Sequence, residues 1–415
     1  MIYIPVRFRQ IGLITSCIAF LFLSCSPIKN RLHREHPFPI VAAQDRVLAD
    51  SDSTISDLVP AARDSIDRLM AVAIADSVFP GAVLLLTKNA RIVYHQAFGN
   101  YGYGDFARPL EKDAIFDLAS VTKVIATTSA AMVLVGDSLL SLDDKVSQYI
   151  PEFGFGKKKE ITIRHLMTHS SGLPPYIRYF LEGLSAEKIS ERIFNEPLIY
   201  DPGTAYKYSD LGMITLGKII EKISATTLDR YCFEKIFQPL QMKNTFFNPP
   251  PVLYAKIPPT ENDDWRGRMI HGVVHDENAF ALGGVAGHAG LFSNAADLAV
   301  FLQMLLNGGV YNSQSVLALP VIQQFVQKQK TVKKSTRALG WDTRSKKGST
   351  SGDLMSMFAF GHTGFTGTSV WVDPANDLFI ILLTNRVHPT RKNRRVVKFR
   401  PQLHNLIMSN LEKSD

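Results

Sequence analysis

Two β-rich runs, residues 82–87 and 92–98, lie near the start of the folded part of this chain, and three more, 357–360, 368–372 and 378–383, lie near its end. Almost everything between them has helical periodicity. Strands at both ends with helices inserted describe an α+β or mixed α/β architecture rather than alternating βαβ units. The expectation is an antiparallel sheet, built from N- and C-terminal strands and flanked by helices, beside a mostly helical subdomain. The first two runs are separated by Lys88-Asn89-Ala90-Arg91, and an asparagine near the turn suits a hairpin. Ile66, Leu69, Met70, Ala73 and Ile74 recur at helical spacing before Pro80-Gly81. The helical region runs over 120–240, with loops at 153–159, 170–175 and 201–205. Helix returns at 294–307 and again around 403–411.

The N-terminus has a different character. Arg7 and Arg9 precede an apolar run over 11–23, too short for a stable membrane-spanning helix but suited to a signal-peptide core. It ends in Leu21-Phe22-Leu23-Ser24-Cys25, which resembles a bacterial lipobox, and lipidation of Cys25 would anchor the chain to a membrane. The reading is a lipoprotein signal peptide over 1–24, a flexible polar tether over 25–60 and a folded domain over 61–415. It places the protein in the bacterial cell envelope, on a periplasmic or extracellular face.

With 46% hydrophobic and 20% charged residues the chain is an ordinary globular one. The net charge of +8 falls to about +6 without Arg7 and Arg9 (8 − 2). The basic runs at 157–159 and 391–395 therefore read as solvated faces, with no nucleic-acid partner. If Cys17 leaves with the signal and Cys25 carries lipid, Cys232 remains alone, and a lone cysteine in an apolar stretch reads as a buried structural thiol.

Three constellations carry chemistry. Ser120-Val121-Thr122-Lys123 opens an apolar helix, so residues three apart share a face and the Lys123 amine lies beside the Ser120 hydroxyl. A serine is a weak nucleophile until a base takes its proton, and a lysine whose pKa is lowered by burial can do so. Ser120 could instead be only a helix cap, but such a cap is commonly partnered three residues on by Glu or Gln, and the helix dipole disfavours lysine there. Tyr208-Ser209-Asp210 follows a Pro-Gly break and leads into a helix over 211–223. Tyr208 could shuttle protons beside an ammonium, or could simply pack at a helix start that Ser209 or Asp210 caps. Gly361-His362-Thr363-Gly364-Phe365 borders an alternating strand, where glycines permit close backbone approach and an edge could offer an oxyanion N–H. A plain glycine-rich strand entry is the competing account.

Taken jointly and in this order, the three resemble the S-x-x-K, Y-x-N and K-T-G or H-T-G motifs of the serine β-lactamase and penicillin-binding-protein superfamily. The stretches 161–176 and 275–301 are similar to its class C-related members, especially penicillin-binding protein 4B-like proteins and related esterases. The resemblance covers residue 61 to the C-terminus and implies a β-lactamase/transpeptidase-like fold working without a cofactor. It also implies that Ser120 is acylated, with Lys123 as base or proton relay. Tyr208 would accept the serine proton and later activate water. The N–H groups of Ser120 and Phe365 would form an oxyanion hole, and His362 and Thr363, followed by Gly364, would face the substrate.

Two departures stand out. Asp210 occupies the place of an amide-bearing asparagine, which removes an NH₂ donor and adds negative charge. His362 replaces a lysine, weakening positive charge toward a substrate carboxylate at neutral pH. The implied function is a D-Ala-D-Ala carboxypeptidase acting on peptidoglycan peptides, or a weak β-lactamase. A carboxylesterase of the same fold and a catalytically silent penicillin-binding sensor are the alternatives. The pairs His165/His169 and His271/His275 have zinc-compatible spacing, but no H-E-x-x-H motif accompanies them, and the reading assigns no metal.

Overall fold

The computed structural model describes residues 38–50, 58–333 and 335–411. The signal segment and Cys25 lie outside the described residues. A seven-stranded sheet forms the backbone of the domain. Its strands are β1 (Ala49–Asp50), β2 (Gly81–Lys88), β3 (Arg91–Gly99), β4 (Asp342–Thr343), β5 (Phe360–Thr363), β6 (Ser369–Asp373) and β7 (Leu378–Thr384). The spatial order is β1-β3-β2-β7-β6-β5-β4, so the last strand of the chain pairs with the first hairpin. All neighbours are antiparallel except the short β1, which runs parallel to β3.

The register explains why β2 and β7 read as unbroken apolar runs. Successive side chains point to opposite faces, and here both faces are covered. Val83, Leu85, Phe379, Ile381 and Leu383 face a core shared with the helical region. Leu84, Leu86, Leu378, Ile380 and Leu382 face a second core against the helices Pro60–Ala75 and Val396–Ser409. The hairpin turns at Asn89-Ala90, both with positive φ (52° and 59°), the geometry of a tight primed turn.

Three boundaries differ from the expectation. The run assigned to 357–360 is a strand at Phe360–Thr363, because a short partner, β4, pairs with Phe360 and Gly361. The C-terminal helix begins at Val396 rather than near 403, with Phe399 and Arg400 already buried in it. Part of the assigned tether is not free chain. Ile40 is buried in the core, the Arg46 guanidinium pairs with Asp377, and β1 adds to the sheet. The stretch Ala119–Gly136 is long and apolar enough to span a bilayer, yet 78% of it is buried inside the domain, as befits a core helix. Cys232 is likewise fully buried.

Candidate active site

Ser120 sits where a short three-residue turn (Ala119–Val121) passes into a π-helical segment (Lys123–Thr128) and then an α-helix (Ser129–Gly136). No side chain caps its start, so Ser120 is not a capping residue. The preceding Ala119 is held at φ +45°, a left-handed conformation that costs a non-glycine residue roughly 1 kcal/mol or more. Asp117 holds it there. One carboxylate oxygen accepts the Ala119 N–H at 2.8 Å and the other accepts the His275 N–H at 2.7 Å. Burial pushes the Asp117 carboxyl up, against those two stabilising bonds.

Lys123 is completely buried, and its ammonium meets three acceptors. It donates to Ser120 Oγ at 3.0 Å and to the His288 carbonyl at 2.9 Å, and forms an ion pair with Asp210 Oδ1 at 2.8 Å. Burial is the largest influence and disfavours the charge, but Asp210 and Tyr208 together outweigh it, so the amine is held above its ordinary pKa. This reverses the expectation that burial lowers it. Held up in this way, the lysine favours its ammonium form, which donates to the serine oxygen. The His288 carbonyl is itself steadied, since the His288 ring meets Asp276 Oδ1 at 2.8 Å.

Ser209 accepts the Gly212 N–H and caps the helix Asp210–Ser224, so for this residue the capping account is correct. Asp210 is free of capping duty and turns to Lys123; its added negative charge is thus spent on the lysine. The Tyr208 ring lies 5.0 Å from the Lys123 ammonium, and its buried hydroxyl has no hydrogen-bond partner of ordinary geometry among the described residues.

His362 lies on β5 and is buried. Its Nδ1 must carry the proton, because it meets the Thr363 carbonyl at 2.9 Å, which leaves Nε2 as an unpaired acceptor. Burial, followed by Arg337 and Lys123, keeps its pKa well below the ordinary histidine value. His362 is therefore neutral and supplies no positive charge. His169 behaves alike: its Nδ1 accepts the Ser209 N–H at 3.2 Å, and burial, then Arg337 and Lys123, keep it uncharged.

The turn after β5 is stitched to the segment before Ser120. Thr366 Oγ1 donates to the Asp117 carbonyl at 2.8 Å and Thr368 Oγ1 to the Leu118 carbonyl at 3.1 Å. A Cβ on Gly364 would fall 2.5 Å from the Leu118 oxygen and 2.1 Å from Thr368 Oγ1, so only glycine fits. The glycine serves approach between two backbone segments, where the sequence suggested approach to a ligand. Phe365 is thereby held on the cavity that Ser120 also lines, its ring stacked on His275 (5.6 Å, 26°) and 4.5 Å from the Arg386 guanidinium.

Ser120, Tyr208, Asp210 and Phe365 line one cavity of about 930 Å³; His362, Thr363 and Gly364 are not among its lining residues. Its outer walls are aromatic (Tyr176, Phe180, Trp265) and acidic (Glu261, Asp264, Glu277). Arg391 also lines it, with its Nε donating to Glu261 at 2.5 Å and its Nη2 to Glu277 at 2.7 Å. Among the described residues no cluster of three metal-ligating side chains occurs. Of the zinc-spaced histidines, His165 caps its helix by accepting the Thr162 N–H, His271 meets two carbonyls and His275 pairs with Glu261.

The sequence reading missed Asp117, His288 and Arg337. Asp117 and His288 lie within stretches it singled out, but nothing in their spacing announces the contacts they make. Arg337 lies in a stretch without a motif, and only the fold brings it to Tyr208.

A buried lysine hydrogen-bonded to a cavity-facing serine, a tyrosine near the lysine on the same cavity and a β-strand turn contributing to the wall define a serine hydrolase of the β-lactamase/transpeptidase fold. Residues 64–400 match the family model described as Beta-lactamase, and the chain belongs to that family. It is 35% identical over 348 residues to a protein of Escherichia coli (strain K12) named "Putative D-alanyl-D-alanine carboxypeptidase", covering 75% of this chain and 80% of that one. It is 36% identical over 348 residues to a Bacillus subtilis (strain 168) protein named N-acetylmuramyl-L-alanine amidase, covering 75% and 78%. Among solved structures, EstCE1, a hydrolase with promiscuous acyltransferase activity, superposes with a TM-score of 0.68 at 20% identity, over 84% of this chain and 98% of that one. The octameric penicillin-binding protein homologue from Pyrococcus abyssi does so with 0.62 at 21% identity, over 82% and 77%.

Proposed function

We propose that this protein hydrolyses acyl bonds through an acyl-enzyme on Ser120, and that its substrates are peptidoglycan peptides ending in D-Ala-D-Ala. The carrying observation is the 3.0 Å contact of the Lys123 ammonium with Ser120 Oγ at a cavity large enough for a peptide. Tyr208, in its phenolate form, takes the serine proton as Oγ bonds to the carbonyl carbon, and gives that proton to the departing group as the bond between the carbonyl carbon and that group breaks. Lys123 orients Oγ and stabilises the developing charge, and the N–H groups of Ser120 and Phe365 receive the oxyanion. Tyr208 then activates water for deacylation. The substrate class draws on the names of the relatives, and the placement on a membrane, through lipid on Cys25 facing the periplasm or exterior, on the N-terminal sequence.

An esterase is the second reading, favoured by a specific observation. His362 is neutral and Asp210 is anionic, so the motif residues offer no free cation to a substrate carboxylate. Labelling by a fluorophosphonate or fluorescent penicillin, lost in Ser120→Ala, tests the nucleophile. Turnover of an aryl ester, a D-Ala-D-Ala peptide and a chromogenic cephalosporin on one preparation separates the readings. Turnover of the ester alone removes the carboxypeptidase, and labelling by neither probe favours a catalytically silent protein.

A further inference from the structure

The charges around Tyr208 do not add up to an environment that favours a proton acceptor unless a residue outside the three motifs is counted. Lys123 is cationic, but Asp210 lies 2.8 Å from its ammonium and offsets part of its field. His169 and His362, whose rings lie 4.5 and 6.0 Å from the Tyr208 ring, are both neutral. Tyr206, two residues upstream, carries no charge of its own. Among the described residues, the second cation near the ring is Arg337, whose guanidinium carbon is 5.3 Å from the centre of the Tyr208 ring.

Arg337 is rigidly placed. Its Nε donates to the Tyr206 hydroxyl at 3.0 Å, and its Nη1 is buried without a hydrogen-bond partner. The acid facing it, Asp342, stands off at 3.8 Å and is itself engaged by the Thr336 hydroxyl and the Thr343 N–H. The loop carrying Arg337 is clamped against the helix Ile163–Met167 and against the helical segment that follows Ser120. Gly340 donates to the Met167 carbonyl, and a Cβ there would fall 2.0 Å from Thr128 Oγ1. A guanidinium in this position is only partly neutralised, and its charge reaches Tyr208 through a medium that screens weakly.

We propose that Arg337 is a positioning residue, supplying the positive charge against which Tyr208 accepts the proton of Ser120. It adds to the partly offset field of the Asp210-bound Lys123 and supplies the charge that neutral His362 does not. The idea rests on the acyl-enzyme reading above. When Arg337 is present, the proton moves from Ser120 to a tyrosine oxygen whose negative form is electrostatically favoured. Without it, the same transfer needs a higher pH.

The test is the rate of Ser120 acylation by a fluorophosphonate and by an aryl ester, followed across a pH series. Arg337→Met, which keeps bulk and removes charge, is expected to move the rising limb up by about one pH unit and slow acylation near neutral pH about tenfold. Arg337→Lys, which keeps charge, returns the limb most of the way. A limb that stays in place in Arg337→Met while the melting temperature falls makes the residue merely structural and overturns the proposal. A limb displaced as far by Lys as by Met overturns it too. Should Arg337→Met not fold, Tyr206→Phe, which frees the guanidinium, is expected to move the limb the same way by less, and no movement counts against the idea. Absence of labelling in the unaltered protein would instead remove the hydrolase reading itself.

Discussion

At the level of single residues, Asp210 has the widest consequences. Removing the carboxylate leaves Lys123 as a fully buried ammonium without a counter-ion, at a cost of about 3–5 kcal/mol. Asp210→Ala is therefore expected to lower the melting temperature strongly at neutral pH. The sign of the pH dependence follows from linkage. With burial unopposed, the folded lysine binds its proton less tightly than the unfolded one, so the native state carries fewer protons. Stability then falls as pH falls and recovers as pH rises toward the ~10.4 of an unfolded lysine. Melting curves of Asp210→Ala and the unaltered protein at neutral and alkaline pH should converge upward; a constant gap would mean that the ion pair is not the cause. The same residue was legible in the sequence as a missing amide and an added negative charge. That its charge would be spent on Lys123 depends on where a helix start falls, and spacing does not report that.

At the level of elements, the site depends on one turn being sewn to another. The turn 364–368 contacts the segment 117–118 through two threonine hydroxyls and the absent side chain of Gly364. Gly364→Ala would put a methyl into the Leu118 carbonyl and force the two apart. Phe365 would then move away from Ser120. Since loss of a single oxyanion donor costs on the order of 10²–10³ in rate, acylation is expected to drop by at least about a hundredfold with Ser120 and Lys123 unchanged. Burst kinetics with an aryl ester measure this, and near-normal acylation would show that Phe365 is not part of the hole. The glycines here were evident in the sequence as signs of close approach. What they approach was not, because residues 118 and 364 come together only when the C-terminal strands join the N-terminal hairpin.

At the level of the whole molecule, stability should fall in acid for an identifiable reason. Burial, aided by Arg400, holds His404 at about 3, and burial holds His388 at about 4. Between those values and the ~6.5 of an unfolded histidine the unfolded chain binds more protons, so stability is full above about pH 6.5 and is lost as pH falls below it. The slope attributable to His404 approaches about 1.4 kcal/mol per pH unit, and His404→Leu should flatten it in acid titrations of the melting temperature. A second prediction concerns the N-terminal segment. A chain begun at Leu58 lacks Ile40 and Arg46, and loss of the Ile40 burial alone costs about 1.5–3 kcal/mol. It should melt below one begun at Phe38, and equal melting would show that residues 38–50 add nothing to the fold.

Local chemistry was readable from the chain without its fold. Alternation and apolar runs marked the strands, turn residues marked the hairpin, and a lysine three residues past a serine at a helix start marked the nucleophile, because these signals lie within a few residues of one another. Tertiary structure alone decided the protonation of Lys123, the neutrality of His169 and His362, the inclusion of residues 38–50 in the core and the approach of Arg337 to Tyr208. Each of those depends on how deeply a group is buried and which charge stands a few ångströms away, and both are set by segments far apart in sequence. Ser120 could be found from its neighbours along the chain, whereas the charge state of the groups around it follows only from its neighbours in space.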